Sequence, residues 1–239
     1  MFVVIHLRTV RLASQWMAAG FVHGVLNTDN MNVTGESFDY GPWRFAPTAD
    51  PSFTAAYFDE SGLYAFGRQG EAVAWNLAQL GGALSQITDP EKLNDALSRY
   101  AAHYERSMGD SYFARLGLQR TGEEDFQLVV DLLRWLTQTG APYEQFFFDW
   151  FCGAASTKRA LQSPIAELYE GRSFAPLKEK LLSIDPVPAE RLEHKYFSAH
   201  SLGLCRSTLY LLLHLSSGSI KTTLTSTCTL PFLMNNCRS

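Results

Sequence analysis

A chain of 239 residues, 46% hydrophobic and 13% aromatic, carries enough apolar material for one large core or two small ones, rich in Phe, Tyr and Trp. A formal net charge of −4 supplies no basic face for general nucleic-acid binding, yet it leaves room for a nucleotide whose phosphates are offset by carboxylate-held Mg²⁺. Cys152, Cys205, Cys228 and Cys237 form no C-x-x-C pair and the histidines are scattered, which argues against a zinc site or a disulfide scaffold and for a reducing compartment, the cytoplasm first and mitochondria second.

Residues 1–20 hold His6, Arg8 and Arg11 and no acid, a composition shared by transit peptides and by basic helices. Val10, Ala13, Trp16 and Met17 recur at helical spacing, so the expected element is a core helix over about residues 9–19 that stops at Gly20. No run reaches the ~18 apolar residues of a membrane span, the Leu-rich 209–215 included, and no membrane partner is expected. Met31 and Val33 before Thr34-Gly35-Glu36, and Phe38 after it, read as a short β-hairpin. Residues 42–67, with their prolines and aromatics, read as an irregular loop.

From Gln69 the pattern is helical, with Val73, Leu77, Leu80 and Leu84 on one stripe. Asp89-Pro90-Glu91 is a helix start, and Leu93, Leu97, Tyr100 and Tyr104 continue it on a single stripe. Thr121-Gly122-Glu123-Glu124 fits a capping box for a helix carrying Phe126, Val129, Val130, Leu133 and Leu136 and ending near Gly140. Further helices are expected over residues 143–152 and 160–169, and Trp16, Trp75, Trp135 and Trp150 are expected in the core. The last acid is Glu193, and residues 201–239 are rich in Ser, Thr and Leu without a period. The expected organisation is therefore one mainly α unit over 1–193 and an atypical tail over 194–239, flexible or non-native in sequence.

The chemistry lies in His23-Gly24-Val25-Leu26-Asn27-Thr28-Asp29-Asn30 and Asp39-Tyr40-Gly41-Pro42. Set against the protein-kinase catalytic loop H-R-D-L-x-x-x-N and its D-F-G, the Asn falls on Asn30 and the Asp on Asp39. In kinases this pair holds Mg²⁺ against the nucleotide phosphates, and one amide oxygen plus one carboxylate are suitable hard donors. The usual catalytic Asp is Val25 here, which is no base, while Asp29 stands beside Asn30 and is placed to accept a proton from an attacking hydroxyl. His23 reads as a brace for the loop. Asn, Asp and Gly also recur in hairpins simply because they tolerate turn geometry.

The wording of the segment is more specific than its spacing. Residues 20–31, G-F-V-H-G-V-L-N-T-D-N-M, followed by Asp39-Tyr40-Gly41-Pro42, resemble the signature of the selenoprotein O family. Tyr64-Ala65-Phe66-Gly67-Arg68-Gln69, Trp75-Asn76-Leu77, Leu116-Gly117-Leu118 and Asp125-Phe126 extend the similarity over about residues 8–150. The resemblance implies a protein-kinase-like fold that binds ATP in inverted orientation and transfers AMP to Ser, Thr or Tyr hydroxyls of other proteins, releasing pyrophosphate. It implies Asp29 as proton acceptor, Asn30 and Asp39 as ligands of Mg²⁺ (or Mn²⁺), and Asp39 also near the phosphates. Only 22 residues precede His23, too few for the family's N-terminal lobe with its Gly-rich loop and Lys, so this chain is expected to be a C-lobe alone, weakly active or inactive. Cys237 matches the family's C-terminal Cys or selenocysteine in position, though its surroundings do not. The other readings of the same residues are a kinase-like phosphotransferase and a non-catalytic remnant or interaction domain.

Overall fold

The structure, a computed structural model, describes residues 1–187. The expected tail, with Cys205, Cys228, Cys237 and the 209–215 run, lies outside them. The described chain is mainly helical, with two small antiparallel ribbons. The helices are α1 (Phe2–Ala19), α2 (Gln69–Leu84), α3 (Pro90–Ser98), α4 (Tyr100–Leu116), α5 (Phe126–Thr139), α6 (Tyr143–Trp150), α7 (Thr157–Leu161), α8 (Ala166–Glu170) and α9 (Ala175–Ser183). The strands are β1 (Phe21–His23), β2 (Met31–Asn32), β3 (Glu36–Ser37) and β4 (Trp43–Phe45). Among the described residues no helix is long and apolar enough to cross a membrane.

Helix α1 starts seven residues earlier than its spacing predicts, because Phe2 and Ile5 are buried as well; Phe2 packs with Leu93 and Ala96 of α3. It ends where expected, at Gly20 in the left-handed region (φ 68), whose N–H returns to the last turn. Tyr143 then donates its hydroxyl to Met17 O at 2.7 Å, and Tyr112 meets the Tyr143 hydroxyl at 2.9 Å. These phenols satisfy a helix-end carbonyl and tie α1 to α4 and α6.

The core behind α1 is aromatic. Trp135, Phe146, Trp150, Tyr169 and Phe174 are all buried. Ring centroids lie 4.8 Å apart for Trp135 and Phe174, 5.1 Å for Tyr169 and Phe174, and 5.3 Å for Trp150 and Phe174. Arg115 joins this interior with its guanidinium 4.6 Å from the Phe147 ring centre, in an ion pair with Glu144.

Several expectations need correction. The single stripe from Leu93 to Tyr104 is two helices that break at Arg99, which lets Leu93 and Ala96 face Phe2 while Tyr100 donates to Gly70 O at 2.7 Å. The Thr121 box does not open a helix. Asp125 accepts from the N–H groups of Thr121 and Gly122 at 2.7 and 3.1 Å, and α5 starts only after it. The helix expected over 160–169 is split into α7 and α8 around Ser163-Pro164, where the Ser163 hydroxyl donates to buried Asp149. Helix α9, with Pro176 in its first turn and Leu177 and Leu181 buried, was not expected. Trp75 is 59% exposed, since it sits off the Val73–Leu77 stripe of α2. Residues 42–67 are irregular except for β4, which pairs with β1, and the start of a 3-10 turn over Phe66–Arg68.

Candidate active site

The site begins where α1 stops. After Gly20 the chain enters β1, which pairs with β4 in the register Phe21↔Phe45, Val22↔Arg44 and His23↔Trp43. At the far end of this ribbon the Gly24 N–H donates to Pro42 O at 2.8 Å. A Cβ on residue 24 would lie 2.0 Å from that oxygen, so only glycine permits the closure. The closure fixes the start of the 24–30 loop against the end of Asp39-Tyr40-Gly41-Pro42. The other edge of β1 meets the first side chain of α2: Gln69 accepts from His23 N–H and donates to Phe21 O, both at 2.9 Å.

The loop from Gly24 to Asn30 is held by side-chain amides. Asn30 Nδ2 donates to Val25 O and Asn76 Nδ2 to Leu26 O, each at 2.9 Å. Tyr64 donates its hydroxyl to Asn27 Oδ1. Thr28–Asn30 form one 3-10 turn, and Met31↔Ser37 and Asn32↔Glu36 then make the hairpin β2–β3. Its turn passes through Gly35, as the sequence indicates.

The hairpin brings Asn30 and Asp39 to a common point, the hydroxyl of Ser37. Ser37 Oγ lies 3.0 Å from the backbone oxygens of both residues, and the Phe38 N–H also donates to Asn30 O at 2.8 Å. His23 Nε2 is 2.8 Å from the same Oγ. Its other nitrogen, Nδ1, accepts the Val25 N–H at 3.2 Å, so the proton resides on Nε2 and is donated to Ser37. Burial pushes the His23 imidazole down to about 4, which keeps it neutral near neutral pH. Trp16 and Tyr40 pack on it with ring centres at 5.3 and 5.5 Å, and burial pushes the Tyr40 phenol up to about 12. The bracing role expected of His23 thus has a specific geometry.

Asp39 is exposed, and its Oδ1 accepts the Gly41 N–H at 2.9 Å. Because Asn30 turns its amide nitrogen to Val25 O, its Oδ1 is the atom left for a cation. Asp29 is exposed on the same turn, and its carboxylate makes no hydrogen bond or ion pair with the described residues. Its charge, after burial and Asp59, helps raise the Tyr64 phenol. The hydrogen bonds therefore link Asn30 with Asp39, while Asp29 is brought close only by adjacency. Among the described residues there is no group of three His, Cys, Asp or Glu side chains able to hold a metal. An amide oxygen and a carboxylate fit Mg²⁺ rather than zinc, since Mg²⁺ commonly keeps waters and phosphate oxygens in its remaining positions. Ser37, Tyr64, Gln69 and Asn76 received no role from the sequence; the last three fall in family-like segments, whereas Ser37 carries no motif.

Relatives of this chain are protein nucleotidyltransferases. It is 44% identical over 143 residues to the "Protein nucleotidyltransferase YdiU" of Trichodesmium erythraeum, covering 59% of this chain and 30% of the relative. The protein of the same description from Pectobacterium atrosepticum is 37% identical over 189 residues, 77% of this chain and 38% of the relative. That from Synechocystis is 43% identical over 152 residues, 61% and 32%. The family model described as "Protein adenylyltransferase SelO" matches residues 1–178, and the chain belongs to that family. It spans about a third of the length of these curated relatives.

Proposed function

We propose that this chain is the metal- and base-bearing part of a protein adenylyltransferase, with a helical unit that corresponds to the C-lobe of a protein-kinase-like fold. The observation that supports it most is the meeting of Asn30 and Asp39 at Ser37, within a chain of the SelO family. In the proposed reaction an acceptor Ser, Thr or Tyr hydroxyl attacks the α-phosphorus of ATP. The bond from that phosphorus to the α–β bridging oxygen breaks, pyrophosphate leaves with the electron pair, and the hydroxyl proton passes to the Asp29 carboxylate. Asn30 Oδ1 and Asp39 would hold Mg²⁺, or Mn²⁺, whose charge offsets that of the phosphates. Asp39 thereby also lies near the nucleotide.

Because the chain covers about a third of its relatives, transfer by the whole enzyme is proposed for the family's arrangement. This chain alone is expected to bind ATP weakly and transfer AMP poorly. The test is titration of the 239-residue chain with Mn–ATP, followed by incubation with protein acceptors and mass spectrometry. Weak binding that Asp39→Ala abolishes, with any modification adding AMP and releasing pyrophosphate, is the expected outcome. Phosphate on protein with ADP as co-product would instead identify a phosphotransferase. Absence of Mn–ATP binding by the wild type would leave a non-catalytic domain.

A further inference from the structure

Both expected metal donors depend on one hydroxyl that belongs to neither. Ser37 is buried on the second strand of the hairpin, and its Oγ is within hydrogen-bonding distance of His23 Nε2, Asn30 O and Asp39 O, at 2.8, 3.0 and 3.0 Å. A hydroxyl has one hydrogen and two lone pairs. The imidazole N–H occupies a lone pair, because His23 Nδ1 already accepts the Val25 N–H. The single hydrogen of Ser37 is then left for the two carbonyls. Asn30 O also accepts the Phe38 N–H, and Asp39 O also faces the His23 ring, so the hydroxyl is the one group that reaches both carbonyls.

We propose that Ser37 is a positioning residue for the reaction proposed above: its hydroxyl converts the buried imidazole of His23 into a clamp that sets the spacing of Asn30 and Asp39. The imidazole N–H reaches Ser37 Oγ at 2.8 Å, and the Asp39 backbone oxygen lies close enough to act on the same ring. Ser37 supplies the acceptor for that N–H and the donor beyond it. Its Cβ alone cannot do this, and neither can a residue of the same shape without the oxygen. The side chains of Asn30 and Asp39 extend from backbone units that both abut this hydroxyl, so its loss frees the two donors to move independently. The inference rests on the metal-binding reading of Asn30 and Asp39, and it adds a residue that touches neither metal nor nucleotide.

The experiment compares Ser37→Ala, Ser37→Val and Ser37→Thr in the 239-residue chain, using Mn²⁺ electron paramagnetic resonance with ATP, thermal melting, and ¹⁵N spectra of the His23 ring. Ala and Val are expected to weaken Mn–ATP binding by about 10–100-fold, the range for groups that orient metal ligands, and to shift the His23 Nε2 resonance. Thr retains the hydroxyl and is expected to restore both signals, although Val and Thr match in shape. Binding by Ala equal to wild type, or equal loss in Thr and Val, overturns the role of Ser37 and leaves the proposed function standing. Loss of the cooperative melt in both Ala and Val makes Ser37 a folding residue and also overturns it. A wild type that binds no Mn–ATP overturns the proposed function and this inference together.

Discussion

The aromatic interior around Trp135, Phe146 and Phe174 and the segment from Gly20 to Ala46 are built on different principles. In the interior each ring touches several others, so contacts are numerous and interchangeable. In the site segment a polar group commonly meets one partner in one geometry: Gly24 with Pro42, Asn30 with Val25, Asn76 with Leu26. The first kind of construction fails by degrees and the second by position. Stability and metal–nucleotide binding should therefore separate under mutation, and three substitutions test how cleanly.

The largest stability loss is expected from the interior. Phe146→Ala empties a fully buried ring site beside Trp135 and Phe147, and about 3–5 kcal/mol should be lost by denaturant titration. Gly24→Ala should cost less stability, about 1–3 kcal/mol, yet abolish Mn–ATP binding, because the new methyl displaces Pro42 and with it Asp39. If that variant melted far below Phe146→Ala, the site segment would be part of the folding core and the contrast would collapse. Least is expected from the surface. Arg99 and Asp95 pair at 2.8 Å with both side chains 61% exposed, so Arg99→Ala should change the unfolding free energy from denaturant titration by less than ~0.5 kcal/mol.

The same contrast explains what could be read in the sequence. Helices whose ends carry a local chemical cause were legible: Gly20 and Gly140 both adopt the left-handed conformation that stops a helix, and Asp89 accepts the Glu91 N–H as an N-cap. Elements defined by distant partners were not. The three residues of β4 are too few to show alternation and follow a proline, and only their pairing with β1 makes them a strand. The break at Arg99 has no Gly or Pro, and it is set by the separate neighbours of α3 and α4. Asp125, one residue beyond the expected box, captured the turn because its carboxylate reaches two N–H groups at once.

At the site, the nearness of Asn30 and Asp39 was legible, since a hairpin of known length joins them. Ser37 was not, because a serine in a short strand has no pattern of its own until His23 is seen against it. Asp29 lies beside Asn30 on the same 3-10 turn, exposed to solvent.

Gln69 carries one more implication. Its amide presents a carbonyl and an N–H group to the free side of β1 much as a neighbouring peptide unit would, and so stands in for a third strand. The ribbon can then recruit no other chain along that side once α2 has docked. Without that amide, the Phe21 carbonyl and the His23 N–H would form an open strand edge, so the docking of α2 closes a place where another strand could pair.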